Sequence, residues 1–217
     1  MATRQALLDA AERVFERRGV SRTSLAEIAQ EARLTRGAIY WHFQGKADLF
    51  NAMMERVKPP MEQALRQLEL PPDAACDPLE NFCAQMRFSL TQIENDAHIR
   101  RVLNIAMLMT EYVPELGSVR ARHLTARRQT AQRLGEAVAN AAARRNIALP
   151  ASTTEIGELL HGLFCGMVTD WLVEPDFSLT QTTMRGVKLM LRGLGLEIDD
   201  SALASPPPAR GQAGDQG

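Results

Sequence analysis

The sequence predicts an all-α fold, and three observations carry that prediction. Apolar residues recur at helical spacing through most of the 217 residues, strand signals are nearly absent, and aromatic residues reach only 5%. The chain of 217 residues, 45% of them apolar, is long and apolar enough for one sizeable core or two small ones. We therefore expect a helical, globular protein.

The first predicted helix begins near residue 3 and ends at Gly19. Arg17 and Arg18 lie in its last turn, where positive charge favours a helix C-terminus. Its apolar residues form one stripe at helical spacing: Leu7, Ala10, Ala11, Val14 and Phe15.

Two short helices joined by a tight turn are predicted next, at about residues 24–43. Ser24 and Glu27 form a capping-box pattern that starts the second helix, and Thr35 is placed to cap the third. Their inward-facing residues are Leu25, Ile28, Ala29 and Ala32 in the second helix, and Ala38, Ile39 and Phe43 in the third. This arrangement is typical of a helix-turn-helix.

The rest of the chain is predicted to be helical up to a polar tail. A fourth helix begins at Ala47 and runs to Val57, where Pro59 and Pro60 kink or interrupt it, and residues 69–78 form a loop. Further helices are predicted at about 78–95, 97–112, 116–146, 153–173 and 178–196. Residues 201–217 are rich in Pro and Gly and are predicted to be disordered.

The charge is unevenly distributed along the chain. Residues 1–58 carry ten Lys and Arg against seven Asp and Glu, whereas the remainder carries fifteen against nineteen. The overall net charge of −1 excludes a uniformly basic, histone-like protein. A basic end on an acidic chain indicates an anionic partner for that end.

The helix-turn-helix carries side chains suited to a DNA duplex, since a short helix fits the major groove. Arg36 is a candidate for a bidentate contact to guanine, and Gly37 would let the backbone approach the DNA. Phosphate contacts are expected from Thr35, Tyr40, His42 and, at the start of the next helix, Lys46. The alternative is that these residues form only a solvated face.

Residues 20–50, VSRTSLAEIAQEARLTRGAIYWHFQGKADLF, resemble the DNA-binding domain of the TetR family, and the resemblance is specific over about residues 4–58. Arg100-Arg101 and the stretch GMVTDWLVEP resemble the subgroup that represses multidrug efflux-pump operons. The resemblance implies a two-domain, all-helical protomer that forms a homodimer. It further implies a repressor that a small molecule releases from its operator.

By the same resemblance, the DNA contacts of the family fall on Thr35, Arg36, Gly37, Tyr40, Trp41, His42 and Lys46. One departure concerns Arg33, which occupies a turn position where the family usually has Gly. A non-Gly residue held at positive φ costs roughly 1–2 kcal/mol. Either the turn adjusts, or the strain is tolerated and Arg33 gains a DNA phosphate.

We predict a DNA-binding domain over residues 1–58, an effector-binding and dimerisation domain over 59–200, and a tail over 201–217. The helices at 153–173 and 178–196 are apolar on much of their circumference, which favours a four-helix interface between two protomers, with ordinary intrachain core as the alternative. Gly162 and Gly166 would permit close helix approach there. A dimer also matches a pseudo-palindromic operator, since one short helix reads few base pairs.

An effector pocket is expected in the second domain, because methionines on several helices form adaptable walls for apolar ligands. The candidates are Met86, Phe88, Leu103, Met107, Met109, Glu111, Phe164 and Cys165. The alternative is that these residues are simply core. Glu111 is available to a cationic compound or equally to Arg120 or another arginine. In the efflux subgroup the positions of Met107 and Cys165 are often polar, so ligand identity does not carry over.

Other function classes have less support. The sequence has no GxSxG, HExxH, Walker or GxGxxG pattern and its four histidines are scattered, so we expect no enzyme, no metal and no cofactor. An oxidation-responsive repressor is a second alternative, although Cys76 lies on an acidic loop and Cys83 and Cys165 lie on apolar faces. An activator or a ligand-independent regulator is a third. Without a signal-peptide pattern, an apolar run of membrane-spanning length or a disulfide framework, we expect a cytoplasmic protein away from membranes.

Overall fold

The computed structural model describes residues 2–69 and 77–198, and no residue in those ranges forms a β-strand. The described helices are α1 (Ala2–Arg18), α2 (Leu25–Glu31), α3 (Arg36–His42), α4 (Lys46–Met54), α5 (Lys58–Glu69), α6 (Pro78–Asn95), α7 (Ala97–Leu108), α8 (Gly117–Arg144), α9 (Thr153–Val173) and α10 (Leu179–Gly193). A short 3-10 helix, Pro114–Leu116, precedes α8. The all-α prediction is confirmed. Most of the predicted loop at 69–78, Cys76 and the predicted tail lie outside the described residues.

The N-terminal helices begin and end where local signals predict. Gly19 has a φ of +80°, and its N–H donates to the carbonyl of Phe15 at 2.8 Å, which ends α1. Ser24 and Glu27 form the predicted capping box of α2. The hydroxyl of Thr35 accepts from the N–H of Ala38 at 3.3 Å and caps α3. The helix-turn-helix is therefore built by short-range hydrogen bonds.

The turn between α2 and α3 does not adjust to avoid the strained conformation. Arg33 has a φ of 57°, and its N–H donates to the carbonyl of Gln30 at 2.9 Å. The N–H of Leu34 then donates to the carbonyl of Ala29 at 2.9 Å. These two bonds form a Schellman motif, in which the left-handed position is ordinarily Gly. Arg33 therefore holds a left-handed backbone conformation that is strained for a residue other than glycine.

Three helix ends differ from the prediction by three residues or more, and one of them is that of α10, which was predicted to reach residue 196 and ends at Gly193. The helix predicted to reach Val57 ends at Met54, because Pro59 and Pro60 lack the N–H groups that a continuous helix requires; instead they enter the first turn of α5. The helix predicted to reach residue 112 ends at Leu108. The carbonyl of Met109 accepts a hydrogen bond from the N–H of Val20 at 2.9 Å instead of from a further helical turn. In addition, Pro114 disfavours the α conformation at Val113, the residue before it.

The helices α8 and α9 cross in backbone contact. A Cβ built on Gly135 would lie 2.1 Å from the carbonyl oxygen of Thr153, and one on Gly157 would lie 2.0 Å from that of Ala131. Both positions therefore require glycine. A Cβ on Gly162 or on Gly166 would meet nothing within 4 Å in this protomer.

The N-terminal helices rest on the C-terminal helices through both apolar and charged contacts. One continuous apolar core runs from α1–α4 into α6–α10. At its edge Glu12 is 3% exposed, and its carboxylate lies 2.6 Å from Nη1 of Arg56 and 3.0 Å from Nε2 of His98 in α7. The guanidinium of Arg101 lies 3.2 Å from Glu16. Burial of Glu12 is thus compensated by neighbours from both halves of the molecule.

Of the described helices, α9 is the one that has the length and apolar composition needed to cross a bilayer. It packs between α8 and α10, and Ile156, Leu160 and Trp171 are buried in the core. Part of its apolar surface is therefore covered within the protomer, whereas Leu159 and Val173 stay exposed.

Candidate DNA-binding surface and effector region

The outer face of α3 presents a cation and two large aromatic side chains to solvent. Tyr40 is 50% exposed and Trp41 is 82% exposed. The guanidinium of Arg36 lies 5.6 Å from the ring centroid of Tyr40, and the imidazole of His42 meets the indole edge-on at 4.6 Å. Exposure of so much aromatic surface is unusual in a solvated face and favours a binding role.

The inner face of α3 fixes the orientation of these side chains. Ile39 is fully buried and Phe43 is 2% exposed in the core of the N-terminal helices. The guanidinium of Arg4, at the start of α1, lies 5.3 Å from the ring centroid of Phe43. Arg4 therefore adds a cation next to the C-terminal end of α3, and the sequence analysis did not single it out.

The turn that precedes α3 extends the same surface. Arg33, Thr35 and Gly37 are all exposed there. A Cβ on Gly37 would come no closer than 3.9 Å to another group, so the space above the helix is open. The structure thus brings Arg33, Thr35, Arg36, Gly37, Tyr40, Trp41 and His42 onto one end of the molecule. Their DNA contacts remain predictions.

The side chain of Lys46, which was expected to contact a DNA phosphate, is buried instead of facing solvent. Lys46 is the first residue of α4, as predicted, but it is 7% exposed, and its ammonium donates to the carbonyl of Ser21 at 2.8 Å. The same nitrogen lies 3.3 Å from a carboxylate oxygen of Glu115 in the 3-10 helix. In this conformation the ammonium is therefore engaged within the protein instead of facing solvent.

A cleft of about 510 Å³ lies between α3 and the start of α4, and we call it the junction cleft. Its lining combines hydroxyls, cations and one carboxylate from the C-terminal half: Ser21, Arg22, Thr23, Ser24, Leu25, Tyr40, Gln44, Gly45, Lys46 and Glu115. Gly45 provides no side-chain cap for the first turn of α4, which also borders the cleft. The hydroxyl of Ser21 and the side chain of Arg22 were missed in the sequence, although both immediately precede the capping box.

The C-terminal half reaches the junction cleft through residues 109–115, which we call the junction segment. The carboxylate of Glu111 accepts from the hydroxyl of Ser21 at 3.0 Å and lies 3.9 Å from the guanidinium of Arg22. The carbonyl of Met109 accepts from the N–H of Val20. Met109 and Glu111, both expected to line an effector pocket, are therefore placed against the N-terminal helices, and the arginine beside Glu111 is Arg22.

The other effector candidates lie in the C-terminal helices and differ in burial. Met86 and Leu103 are in the core, Met107 and Phe164 are half-buried against it, and Phe88 is half-buried on α6. The helices α7 and α9, which carry three of these residues, are in contact. The ligand roles of these residues remain predictions.

Cys165 has a histidine neighbour one helical turn away. Its sulfur lies 3.6 Å from Nε2 of His161. Burial lowers the pKa of His161, and the positive charges of Arg127 and His123 lower it further. Burial likewise raises the pKa of the Cys165 thiol. Both groups are therefore favoured in their neutral forms.

Burial also favours the protonated thiol of the second described cysteine, Cys83. Burial raises the pKa of the Cys83 thiol to about 12, well above its ordinary value. A thiol in that state is a poor nucleophile and a poor target for oxidants at neutral pH. Among the described residues, no group of three His, Cys, Asp or Glu side chains is arranged to hold a metal ion.

Two protein-family models match the chain, one in each half. The model for bacterial regulatory proteins of the tetR family matches residues 7–53, and the model for the C-terminal region of MAATS-type transcriptional repressors matches residues 77–195. The HTH-type transcriptional regulator TtgR of Pseudomonas putida is 33% identical over 178 residues, which cover 80% of this chain and 82% of that protein.

Solved structures of two efflux-pump repressors are similar along their whole length. NalD, the secondary repressor of the MexAB-OprM multidrug efflux pump in Pseudomonas aeruginosa, is 33% identical with a TM-score of 0.78, covering 89% of this chain and 95% of that one. SmeT in complex with triclosan is 26% identical with a TM-score of 0.76, covering 99% of this chain and 100% of that one. SmeT is the repressor of the Stenotrophomonas maltophilia multidrug efflux pump SmeDEF.

Proposed function

We propose that this chain, which belongs to the TetR family of bacterial regulatory proteins, represses a multidrug efflux-pump operon in the cytoplasm and is released by small hydrophobic compounds. TetR-family repressors bind operator DNA and small-molecule effectors and are dimeric. The observation that carries the proposal is the exposed cationic and aromatic face of α3 on a chain that resembles the efflux repressors NalD and SmeT in both halves.

In the proposed complex, α3 enters the major groove. Arg36 makes a bidentate contact to guanine, because its guanidinium is exposed and held over the ring of Tyr40. Trp41 contacts base or sugar edges with its exposed indole. Phosphates are bound by Thr35, Tyr40, His42 and Arg33, with Lys46 and the first turn of α4 at the edge of this surface.

The proposed dimer forms through α9 and α10. Leu159, Val173 and Leu189 are between 60% and 69% exposed, which leaves apolar surface on both helices uncovered in one protomer. Gly162 and Gly166 have no neighbour that a Cβ would touch, so a helix of the partner can approach them closely. Two protomers related by two-fold symmetry would then read the two half-sites of a pseudo-palindrome.

The proposed effector site lies among α6, α7 and α9, near Met107, Phe164 and Cys165. The half-buried apolar and thioether groups there suit a bulky hydrophobic ligand, and the triclosan complex of the similar protein SmeT supports that class. Glu111 bonds to Ser21 in this conformation, so a preference for cationic compounds would require its carboxylate to leave the junction cleft.

Neither alternative function is favoured by a specific observation. An oxidation-responsive repressor would need a reactive thiol, whereas burial raises the pKa of Cys83 and Cys165, the two cysteines among the described residues. The similar proteins are transcription regulators, which argues for a regulator and against an enzyme.

The proposal is tested by footprinting the purified protein on DNA upstream of neighbouring efflux-pump genes. We expect a protected pseudo-palindrome, and we expect hydrophobic pump substrates to abolish the protection at concentrations that leave the protein folded. A matched treatment with peroxide should leave the footprint intact. Absence of any protected site on these sequences would contradict the proposal, and release by peroxide alone would favour the oxidation-responsive alternative.

A further inference from the structure

The junction cleft contains the donors of a phosphate site, and two carboxylates from the other half of the molecule contact those donors: Glu115, which lines the cleft, and Glu111, which reaches Ser21 and Arg22. The donors are the hydroxyl of Ser21, the guanidinium of Arg22 and the ammonium of Lys46, and Tyr40 also lines the cleft. Each of these groups can bind a phosphate oxygen. The cleft also adjoins α3, so a duplex seated on α3 would place its backbone nearby.

The carboxylates of the C-terminal half already occupy those donors. Glu111 accepts from Ser21 at 3.0 Å and lies 3.9 Å from Arg22. Glu115 lies 3.3 Å from the ammonium of Lys46. Two carboxylates therefore bind the N-terminal helices in the way that two phosphates of a DNA backbone would.

We propose that Glu111 and Glu115 are phosphate mimics that compete with the operator backbone for Ser21, Arg22 and Lys46. This inference rests on the proposed DNA-binding function. The conformation described here is then a self-inhibited one, and operator binding replaces the two carboxylates by phosphates. The C-terminal half thereby acts directly on the DNA-binding surface through the junction segment.

The interactions of Glu111 and Glu115 with the cleft are weak enough for a DNA backbone to displace them reversibly. The side chains of Arg22, Glu111 and Glu115 are 78%, 62% and 58% exposed, whereas that of Lys46 is 6% exposed. Ion pairs with solvent-exposed members contribute little to stability, so both carboxylates can leave their partners. Lys46 keeps its hydrogen bond to the carbonyl of Ser21 when Glu115 leaves, so the ammonium stays ordered. A polyanion can therefore displace the carboxylates at small cost.

Competition also gives an effector a way to act. A ligand that favours the position of the junction segment seen here would keep both carboxylates in the cleft and lower operator affinity. A ligand changes the equilibrium only through its differential affinity for the two states. Removing the carboxylates should therefore raise operator affinity and reduce sensitivity to the effector together.

The experiment compares Glu111→Gln, Glu115→Gln and the double variant with wild type in operator titrations at several salt concentrations. Glutamine keeps the size of the side chain and removes its charge. Glu197→Gln is the matched control, because it removes the same charge from an exposed ion pair of 3.6 Å with Arg192 within the C-terminal half. Thermal melts establish that each variant is folded.

We expect Glu115→Gln to tighten operator binding by roughly threefold to tenfold, because the carboxylate whose charge it removes is 58% exposed and the change is repeated in each of two protomers. The log–log salt dependence should steepen by about 0.9 for each additional phosphate that the variant neutralises. The double variant should bind more tightly still and need more effector for half-release, whereas Glu197→Gln should match wild type.

Weaker or unchanged operator binding by folded Glu115→Gln and Glu111→Gln would overturn the inference. That is the result expected if the two carboxylates only stabilise the fold and do not compete with DNA. An equal gain in Glu197→Gln would also overturn it, since the effect would then be one of net charge. A wild type that binds no operator would instead refute the proposed function on which the inference rests.

Discussion

At the scale of single residues, two side chains next to the proposed DNA-binding surface have unusual environments, since one has a strained backbone and the other a buried charge. Arg33 holds a left-handed conformation at a helix end where glycine is ordinary, and Lys46 keeps its ammonium inside the protein. Both residues border the surface proposed to bind DNA, which is where strained or costly residues tend to persist.

Replacing Arg33 by glycine should therefore stabilise the protein. The left-handed conformation costs an arginine roughly 1–2 kcal/mol, and glycine loses about 0.5–1 kcal/mol more backbone entropy on folding, so the expected gain is about 0.5–1 kcal/mol. Urea denaturation measures this difference. If Arg33 also binds a phosphate, Arg33→Gly should weaken operator binding and make its salt dependence shallower by about 0.9 for each phosphate that is no longer neutralised. Lower stability of Arg33→Gly would contradict the assigned strain.

His161 should make the stability of the protein sensitive to acid. Its pKa is lowered in the folded protein by burial and by Arg127 and His123, so below its ordinary value of 6.5 the unfolded chain binds a proton that the folded chain resists. Stability should then fall as the pH drops below 6.5. In His161→Gln the loss of stability between about pH 7.5 and about pH 5.5, either side of that value, should be smaller than in wild type, as measured by denaturation at each pH. An equal loss in both proteins would show that His161 does not contribute.

At the scale of elements, the glycines of the C-terminal helices divide into two kinds. Gly135 and Gly157 allow the backbones of α8 and α9 to touch within one protomer, whereas Gly162 and Gly166 face open space on the surface proposed for the dimer. The four-residue spacing of Gly162 and Gly166 indicated a close helix approach, whereas Gly135 and Gly157 stand far apart in the sequence. A pattern of small residues indicates a close approach between helices, but not which neighbour makes it.

Added methyl groups should affect different properties at the two kinds of glycine. Gly157→Ala should destabilise the protein by about 3 kcal/mol, because the new Cβ would lie 2.0 Å from the carbonyl oxygen of Ala131 and the helices must separate. Gly162→Ala should leave the fold of the protomer intact and weaken self-association. Denaturation and analytical ultracentrifugation measure the two effects. A tolerated Gly157→Ala, or a fully dimeric Gly162→Ala, would contradict the corresponding packing.

The reach of the sequence analysis follows from the range of the interactions involved. The capping box at Ser24 and the cap at Thr35 were predictable because their hydrogen bonds span three residues. The placement of Glu111 was not, because its partner Ser21 is 90 residues away in the chain. The orientation of Lys46 depends on Glu115 in the same way. Local signals thus predicted the helices and the exposed face of α3, whereas the junction between the halves required the structure.

At the scale of the whole molecule, the two halves share one core through which the proposed effector site and the DNA-binding surface can communicate. The junction segment bonds to Val20, Ser21 and Lys46, and Arg122 of α8 forms an ion pair with Glu55 at the end of α4. These interactions tie the region between α7 and α8 to the DNA-binding helices. A shift of α7 or α8 caused by a ligand would therefore change the contacts at both ends of α4.

Filling the proposed effector site should uncouple induction from DNA binding. Cys165→Trp and Met107→Trp place a large side chain at half-buried positions on α9 and α7, and both should bind operator like wild type but resist release by hydrophobic compounds. Cys165→Ser is the matched control, because it keeps the volume and removes the thiol. Effector titration of operator-bound protein measures the response. Tryptophan variants that remain fully inducible would place the effector site elsewhere.

The exposed face of α3 is proposed to read DNA sequence, and titrations with two kinds of DNA test that role. Operator and random DNA are titrated with wild type and with Arg36→Ala at a fixed salt concentration. We expect Arg36→Ala to lose about 1–3 kcal/mol on the operator in each half-site, to relax its preference at one base pair there, and to bind random DNA almost as wild type does. Equal losses on operator and random DNA, or no preference of wild type for any sequence, would contradict the claim.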